Sequence, residues 1–236
     1  MIKDLLLNFI KDYKITLTEN QYEQFQKYFE LLVEWNEKMN LTAITDESGV
    51  ALKHFADSLS LLNFVDIPQN SSLADVGTGA GFPGVVLKIA SPDIKLTLID
   101  SLNKRLVFLG EVCAQLGIEA ELIHSRAEDG ARDEKLRENF DFAVSRAVAR
   151  MNVLSEYCLP YVKVGGAFCA MKGAQANEEF KESLNAINTL GGKLENKYFF
   201  ELPENGGERA IAVVRKVRNT PQKYPRQSGK IKAKAL

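Results

Sequence analysis

Residues 73–84, LADVGTGAGFPG, place Gly77, Gly79, Gly81, Gly84 and one proline behind a short apolar run that ends in an acid, Asp75. Glycines at this density allow positive φ and bring backbone close to whatever the loop faces. Such a loop suits a tight turn from a strand into a helix. Strand, glycine turn and helix in that order are the opening unit of a βαβ fold, so the loop restricts the chain to α/β architectures with a parallel sheet.

The remainder agrees with that restriction. Short apolar runs near 72–76, 95–99, 119–123, 141–145, 167–171, 194–201 and 210–216 alternate with helical stretches. Between the second and third runs, Leu102, Leu106, Leu109, Cys113 and Leu116 fall on one helical face, with Gly117 as the stop. Only a GG-containing turn separates the last two runs, so they should pair antiparallel. The expected fold is α/β, a Rossmann-like doubly wound, mostly parallel seven-stranded sheet with a reversed last strand. Before residue 70 the pattern is helical: Tyr22, Phe25, Phe29, Leu32 and Trp35 form a core stripe behind a capping box at Thr18 and Gln21, and a second helix covers about 47–65. The expected divisions are a helical N-terminal cap over 1–70, the α/β domain over 71–218 and a basic, poorly ordered tail over 219–236.

Charge and composition exclude several classes. The first apolar run is broken by Lys3, Asp4, Lys11 and Asp12, too soon for a signal peptide or a membrane span, so a cytoplasmic location is expected. Cys113, Cys158 and Cys169 are far apart and lack CxxC spacing, which gives neither a disulfide framework nor a zinc site; they are expected as buried apolar residues. No metal is expected. The net charge of −1 conceals nine Lys or Arg and no acid from Arg209 onward, leaving residues 1–208 at −10. Such a basic end is a candidate nucleic-acid contact.

Gly79, Gly81 and Gly84 match GxGxxG, the dinucleotide fingerprint. An ionised Asp75 at the mouth of that loop would oppose a diphosphate, yet would suit S-adenosylmethionine, which presents a sulfonium and an ammonium there, with its carboxylate on free backbone N–H groups. Asp100 follows the run IKLTLI 23 positions after Gly77, near the offset of about 20 at which an acid reaches ribose hydroxyls. Ribose is common to both ligands, so Asp100 indicates a nucleoside without choosing between them. Ala127 and Glu128, after the third strand, sit where a loop flanks adenine; Phe82 suits either loop or core.

DVGTGAGFPG, LIDSLNKR at 98–105, SRAE at 125–128, SRAV at 145–148, MKG at 171–173 and GERAIAVV at 207–214 resemble the bacterial 16S rRNA guanine-N7 methyltransferase family, RsmG or GidB. WNEKMNLTAI at 35–44 and HFADS at 54–58 extend the resemblance over nearly the whole chain. It implies a class I S-adenosylmethionine-dependent methyltransferase fold acting on a guanine in the 530 loop of 16S rRNA, conventional position 527. It also implies cofactor contacts at Gly77, Phe82, Asp100, Ser101, Leu102, Ala127, Glu128 and Arg146, with Gly79 in the same loop. The expected partner is 16S rRNA or the small ribosomal subunit, and the expected state is a monomer.

Guanine N7 has a lone pair and no proton, so no proton-transfer residue is expected; alignment and desolvation should supply the rate. His54, Asp57 and Ser58 share a helix face, but adjacent residues on one helix do not give nucleophile, base and orienter in line, and GxSxG is missing. His54 is instead a packed histidine or a residue lining the RNA or cofactor pocket. Arg146 ends strand four without an NPPY-like sequence for amino methylation or a Pro-Cys pair for pyrimidine C5 chemistry. Lys172 and Arg209, near later strand ends, should converge with Arg146 and His54 toward RNA. Two rival readings are an NAD-dependent oxidoreductase, from GAGFPG and Asp100, and a non-catalytic RNA-binding or ribosome-assembly module, from the basic tail.

Overall fold

The computed structural model describes residues 1–236, the side chain of Lys232 excepted. Helices α1 (Ile2–Phe9) and α2 (Glu19–Met39) come first. Thr18 and Gln21 form the expected capping box, and Gln21 also donates to the Ile89 carbonyl at 2.7 Å, which explains a buried glutamine. A continuous helical segment follows: α3 (Glu47–Val50), a wider π-type turn over Ala51–Ala56, α4 (Asp57–Leu59) and a tighter turn over Ser60–Asn63.

The seven apolar runs become seven strands: β1 (Ser72–Val76), β2 (Lys95–Asp100), β3 (Ala120–His124), β4 (Phe140–Arg146), β5 (Val162–Gly173), β6 (Gly192–Leu202) and β7 (Gly207–Lys216). Helices α5 (Gly84–Ala90), α6 (Asn103–Leu116), α7 (Ala127–Gly130), α8 (Met151–Cys158), α9 (Ala176–Glu182), α10 (Leu184–Thr189) and α11 (Ser228–Ala233) connect or follow them. The strand order is β3-β2-β1-β4-β5-β7-β6, with β7 inserted antiparallel between β5 and β6 and the other pairs parallel. The reversed last strand is as expected.

Alternate residues of each strand feed opposite faces, as the two-residue period of a pleat requires. Leu73, Leu96, Leu98, Val144, Cys169 and Ile211 join a core with α1, α2, α5 and α6; Ala74, Val76, Ile99, Phe168, Ala170 and Val214 join another with α8 and its neighbours. The N-terminal helices therefore share one continuous core with the sheet. Tyr22, Phe25 and Leu32 are buried, Phe29 and Trp35 pack against them, and all three cysteines are buried. Among the described residues no helix is long and apolar enough to cross a membrane.

The expectation of a poorly ordered tail is corrected. Thr220, Tyr224 and Ile231 are buried, and the fully buried Glu156 on α8 accepts from the Arg226 backbone N–H and takes its guanidinium at 2.6 Å. Arg137 donates to the carbonyls of Thr220 and Tyr224. Charge composition suggested solvation, whereas Glu156, the acid that holds Arg226, lies 70 residues back in the chain.

Candidate active site

The chain winds outward from β1 to β3, then returns to start β4 on the other side of β1. Ligands of open α/β sheets bind at such a switch point, beyond the carboxyl ends of the strands. A cleft of about 570 Å³ lies there, and its lining includes Gly77, Thr78, Gly79, Phe82, Asp100, Ser101, Ala127, Glu128 and Arg146. One cleft thus brings together nearly all the residues named from sequence as cofactor contacts. Leu102 is the exception. It precedes α6 with its side chain 43% exposed and does not line the cleft.

The glycine loop is shaped from behind. Gly77 has φ +73°, and a Cβ there would lie 2.7 Å from Val148 Cγ2. Gly81, at φ +98°, leaves room for the Tyr28 side chain, whose hydroxyl donates to the Ala80 carbonyl at 2.5 Å. Both positions need glycine for backbone conformation and for close approach.

Asp75 does not face the cleft, which corrects its expected role. It is fully buried behind the loop, and its Oδ2 accepts from Thr78 Oγ1 at 2.7 Å and from the Gly84 N–H at 2.8 Å. The free backbone N–H groups expected of the loop are also largely committed: Gly77 and Thr78 donate to Ile99, Gly79 to Asp100, and Gly81 and Phe82 to Thr78. The loop therefore offers few donors to a diphosphate. Asp75 disfavours a dinucleotide by capping Gly84, not by repelling phosphate at the mouth.

Burial, opposed by its two hydrogen bonds, pushes the Asp75 carboxyl up to about 6 from 3.8. A folded-state pKa above the unfolded value means that folding favours the protonated form. Stability tied to this group therefore rises as pH falls from above 6 to below 4, by at most about 3 kcal/mol. Denaturant titrations of the wild type and Asp75→Asn at pH 7.5 and 5 should show the wild type gaining on the variant at the lower pH. A constant difference would contradict this.

The acids that do face the cleft are Asp100 and Glu128. Asp100 Oδ2 accepts from Gly79 N–H at 2.9 Å and lies 3.3 Å from Arg105 Nη1, while Oδ1 accepts from Leu102 N–H. The Glu128 side chain is only 6% exposed, and the nearest cation, Arg126, stands 4.0 Å away. No hydrogen bond from the described residues satisfies this carboxylate, so it is an acceptor in search of donors such as nucleoside hydroxyl or amino groups. Beside Arg105, Arg126 and Arg146, which also line the cleft, the two carboxylates supply acceptors that suit the hydroxyl and amino groups of S-adenosylmethionine, while the loop N–H groups a diphosphate would need are already taken.

A second cleft, about 530 Å³, adjoins the first; His54, Arg146 and Ala147 line both. Arg146, Lys172 and Arg209 all line it, so they converge as expected. Asp57 joins them: its Oδ2 takes Arg146 Nη1 at 2.8 Å and its Oδ1 takes Arg209 Nε at 3.1 Å. Lys172 pairs with Glu179 at 2.7 Å. His54 stacks on Phe82 with ring centroids 4.5 Å apart, its Nε2 lies 2.8 Å from Thr42 Oγ1 and its Nδ1 3.3 Å from Arg146. Burial and the Arg146 charge push its pKa down to about 4, so it is neutral at physiological pH. Ser58 donates to the His54 carbonyl, not to the ring, and no hydrolase triad forms. Sequence reasoning missed Asp57 as an arginine clamp, along with Thr42, Arg105 and Val148. Each lies in a segment quoted for the family resemblance, but the contacts of Asp57 and Val148 join residues far apart in sequence, so the segments did not give their roles.

A doubly wound sheet whose last strand is reversed, with a cleft at its switch point, is the fold of class I S-adenosylmethionine-dependent methyltransferases. Solved structures share this fold: a SAM-dependent methyltransferase from Aquifex aeolicus (17% identity, TM-score 0.55, covering 74% of this chain and 96% of that chain) and a putative methyltransferase from Bacillus halodurans (15%, 0.54, 69% and 100%). The family described as rRNA small subunit methyltransferase G, GidB, matches residues 21–205. Among curated relatives, the ribosomal RNA small subunit methyltransferase G of Leuconostoc citreum is 52% identical over 232 residues, 97% of each chain, and that of a Geobacillus species is 53% identical over 216 residues, 91% of each. The chain belongs to the GidB family.

Proposed function

We propose that this enzyme methylates N7 of a guanine in 16S rRNA with S-adenosylmethionine, and that the target is the 530-loop guanine at conventional position 527. The observation that carries the reading is the pair of clefts meeting at His54, Arg146 and Ala147, one suited to a nucleoside, the other rimmed by arginine and lysine. Membership of the rRNA small subunit methyltransferase G family supports the substrate class.

In the first cleft, Asp100 and Glu128 would hold hydroxyl and amino groups of the cofactor, and the bare backbone of Gly77 and Gly79 would permit close contact. Bound there, the sulfonium supplies a methyl group that N7 takes with its lone pair, the carbon–sulfur bond breaking as the carbon–nitrogen bond forms and sulfur leaving with the bonding pair. Arg146, lying 5.2 Å over the Phe82 ring, forms with His54 the wall at which the splayed base is aligned. His54 has both ring nitrogens partnered and acts by packing. A bare cationic wall would oppose the positive charge that a methylated guanine carries. Asp57 offsets Arg146 and Arg209, and Glu179 offsets Lys172.

Membership of an rRNA methyltransferase family supports action in the cytoplasm. Incubation of labelled cofactor with unmethylated 30S subunits or free 16S rRNA, followed by nucleoside mapping, should locate 7-methylguanosine at this site. Label confined to protein or small metabolites would overturn the reading, as would tight NADH binding without binding of S-adenosylhomocysteine.

A further inference from the structure

We infer that the C-terminal segment, residues 219–236, is a wall of the nucleoside cleft and that Ser228 contacts the cofactor; this rests on the cofactor assignment above. Ser228 lines the cleft with Ala127, Glu128 and Tyr157. It lies outside the stretch 21–205 that the family matches, and nothing in the sequence marks it.

The segment is fixed at several points before it reaches the cleft. Glu138 accepts from the Thr220 backbone N–H and from Asn219 Nδ2, each at 2.7 Å. Arg137 grips two carbonyls of the segment, and Tyr224 is buried. The decisive clamp is Glu156, which takes three donors of Arg226 at 2.6–2.9 Å. Glu156 directly precedes Tyr157 in α8, and Arg226 lies two residues before Ser228. One helix therefore supplies both a wall of the cleft and the anchor that brings Ser228 to it. Beyond Ser228, fully buried Ile231 holds α11 down.

The chemistry is complementary. At this end Glu128 is an acceptor only, whereas a serine hydroxyl both donates and accepts. A nucleoside presents donors and acceptors together, so Ser228 supplies what the carboxylate lacks. The segment also carries no acid, and Arg226 is neutralised by Glu156.

The test compares the intact chain with Ser228→Ala and with a chain ending at Arg226, which keeps the clamp and loses Ser228 and α11. Calorimetry with S-adenosylhomocysteine should show Kd raised about threefold by Ser228→Ala, the loss of roughly one hydrogen bond, and at least fivefold by the truncation. On the intact chain, saturating S-adenosylhomocysteine should slow tryptic cleavage at Lys230 at least fivefold. Kd within 1.5-fold for Ser228→Ala and within twofold for the truncation would overturn the inference; if the truncated chain does not fold, an unchanged Kd for Ser228→Ala with unprotected cleavage does so. Should the intact chain fail to bind S-adenosylhomocysteine, the cofactor assignment itself is wrong and the inference falls with it.

Discussion

Gly77→Asp is expected to abolish cofactor binding, raising the Kd for S-adenosylhomocysteine at least 100-fold in calorimetry. Three costs coincide. The φ of +73° is strained for any residue with a Cβ, by about 1–2 kcal/mol. The Cβ itself would meet Val148 at 2.7 Å, displacing the side chain that covers the loop. The carboxylate would then stand in the cleft with Asp100 and Glu128. Gly79→Ala provides the contrast, because a Cβ there meets nothing within 4 Å in the protein. Affinity lost at Gly79 beyond the conformational cost reports contact with the ligand. Near-normal binding by a folded Gly77→Asp protein, checked by circular dichroism, would displace the site from the switch point.

Asp57→Asn is expected to lower kcat for rRNA methylation by 10-fold to 100-fold while changing the affinity for S-adenosylhomocysteine less than threefold. The substitution keeps the shape and removes the charge that holds two guanidinium groups together. On the cofactor side, Arg146 would still have the Lys53 carbonyl at 3.0 Å, His54 and the Phe82 face. On the RNA side, Arg209 would lose the only acid that pairs with it among the described residues. Because the arginines are partly solvated, the stability cost should be nearer 2 kcal/mol than the 3–5 kcal/mol typical of a fully buried pair. Asp57 acts through its arginines, so Asp57→Glu should recover part of kcat. Loss of kcat in step with thermal stability, without recovery by glutamate, would reduce Asp57 to a structural brace.

The sheet was legible because each strand is a short apolar run bounded by turn residues, and local pattern is what sets a strand. Placement of β7 between β5 and β6 was only half legible: the GG turn gives the antiparallel pair, not which member faces β5. Asp75 was legible as an acid at the right place but not as a buried one, since burial depends on how the loop folds over it. Glu128 therefore carries the cleft charge assigned to Asp75. The basic end misled for a related reason. Arg209, Arg215, Lys216 and Arg226 look like free cations in sequence, yet Asp57, Glu195, Glu138 and Glu156 neutralise them across long separations. Composition counts charges without recording which are already paired.

The hydroxyl of Tyr28, reaching from α2 to Ala80, ties the first helices to the glycine loop that lines the cleft. This removes modularity: a sheet excised from its first seventy residues would retain the glycine-rich sequence but lose the prop that holds it open. Grafting this loop onto a related scaffold would transfer its letters and not its form. The leading helices are thus part of the mould that shapes the glycine loop.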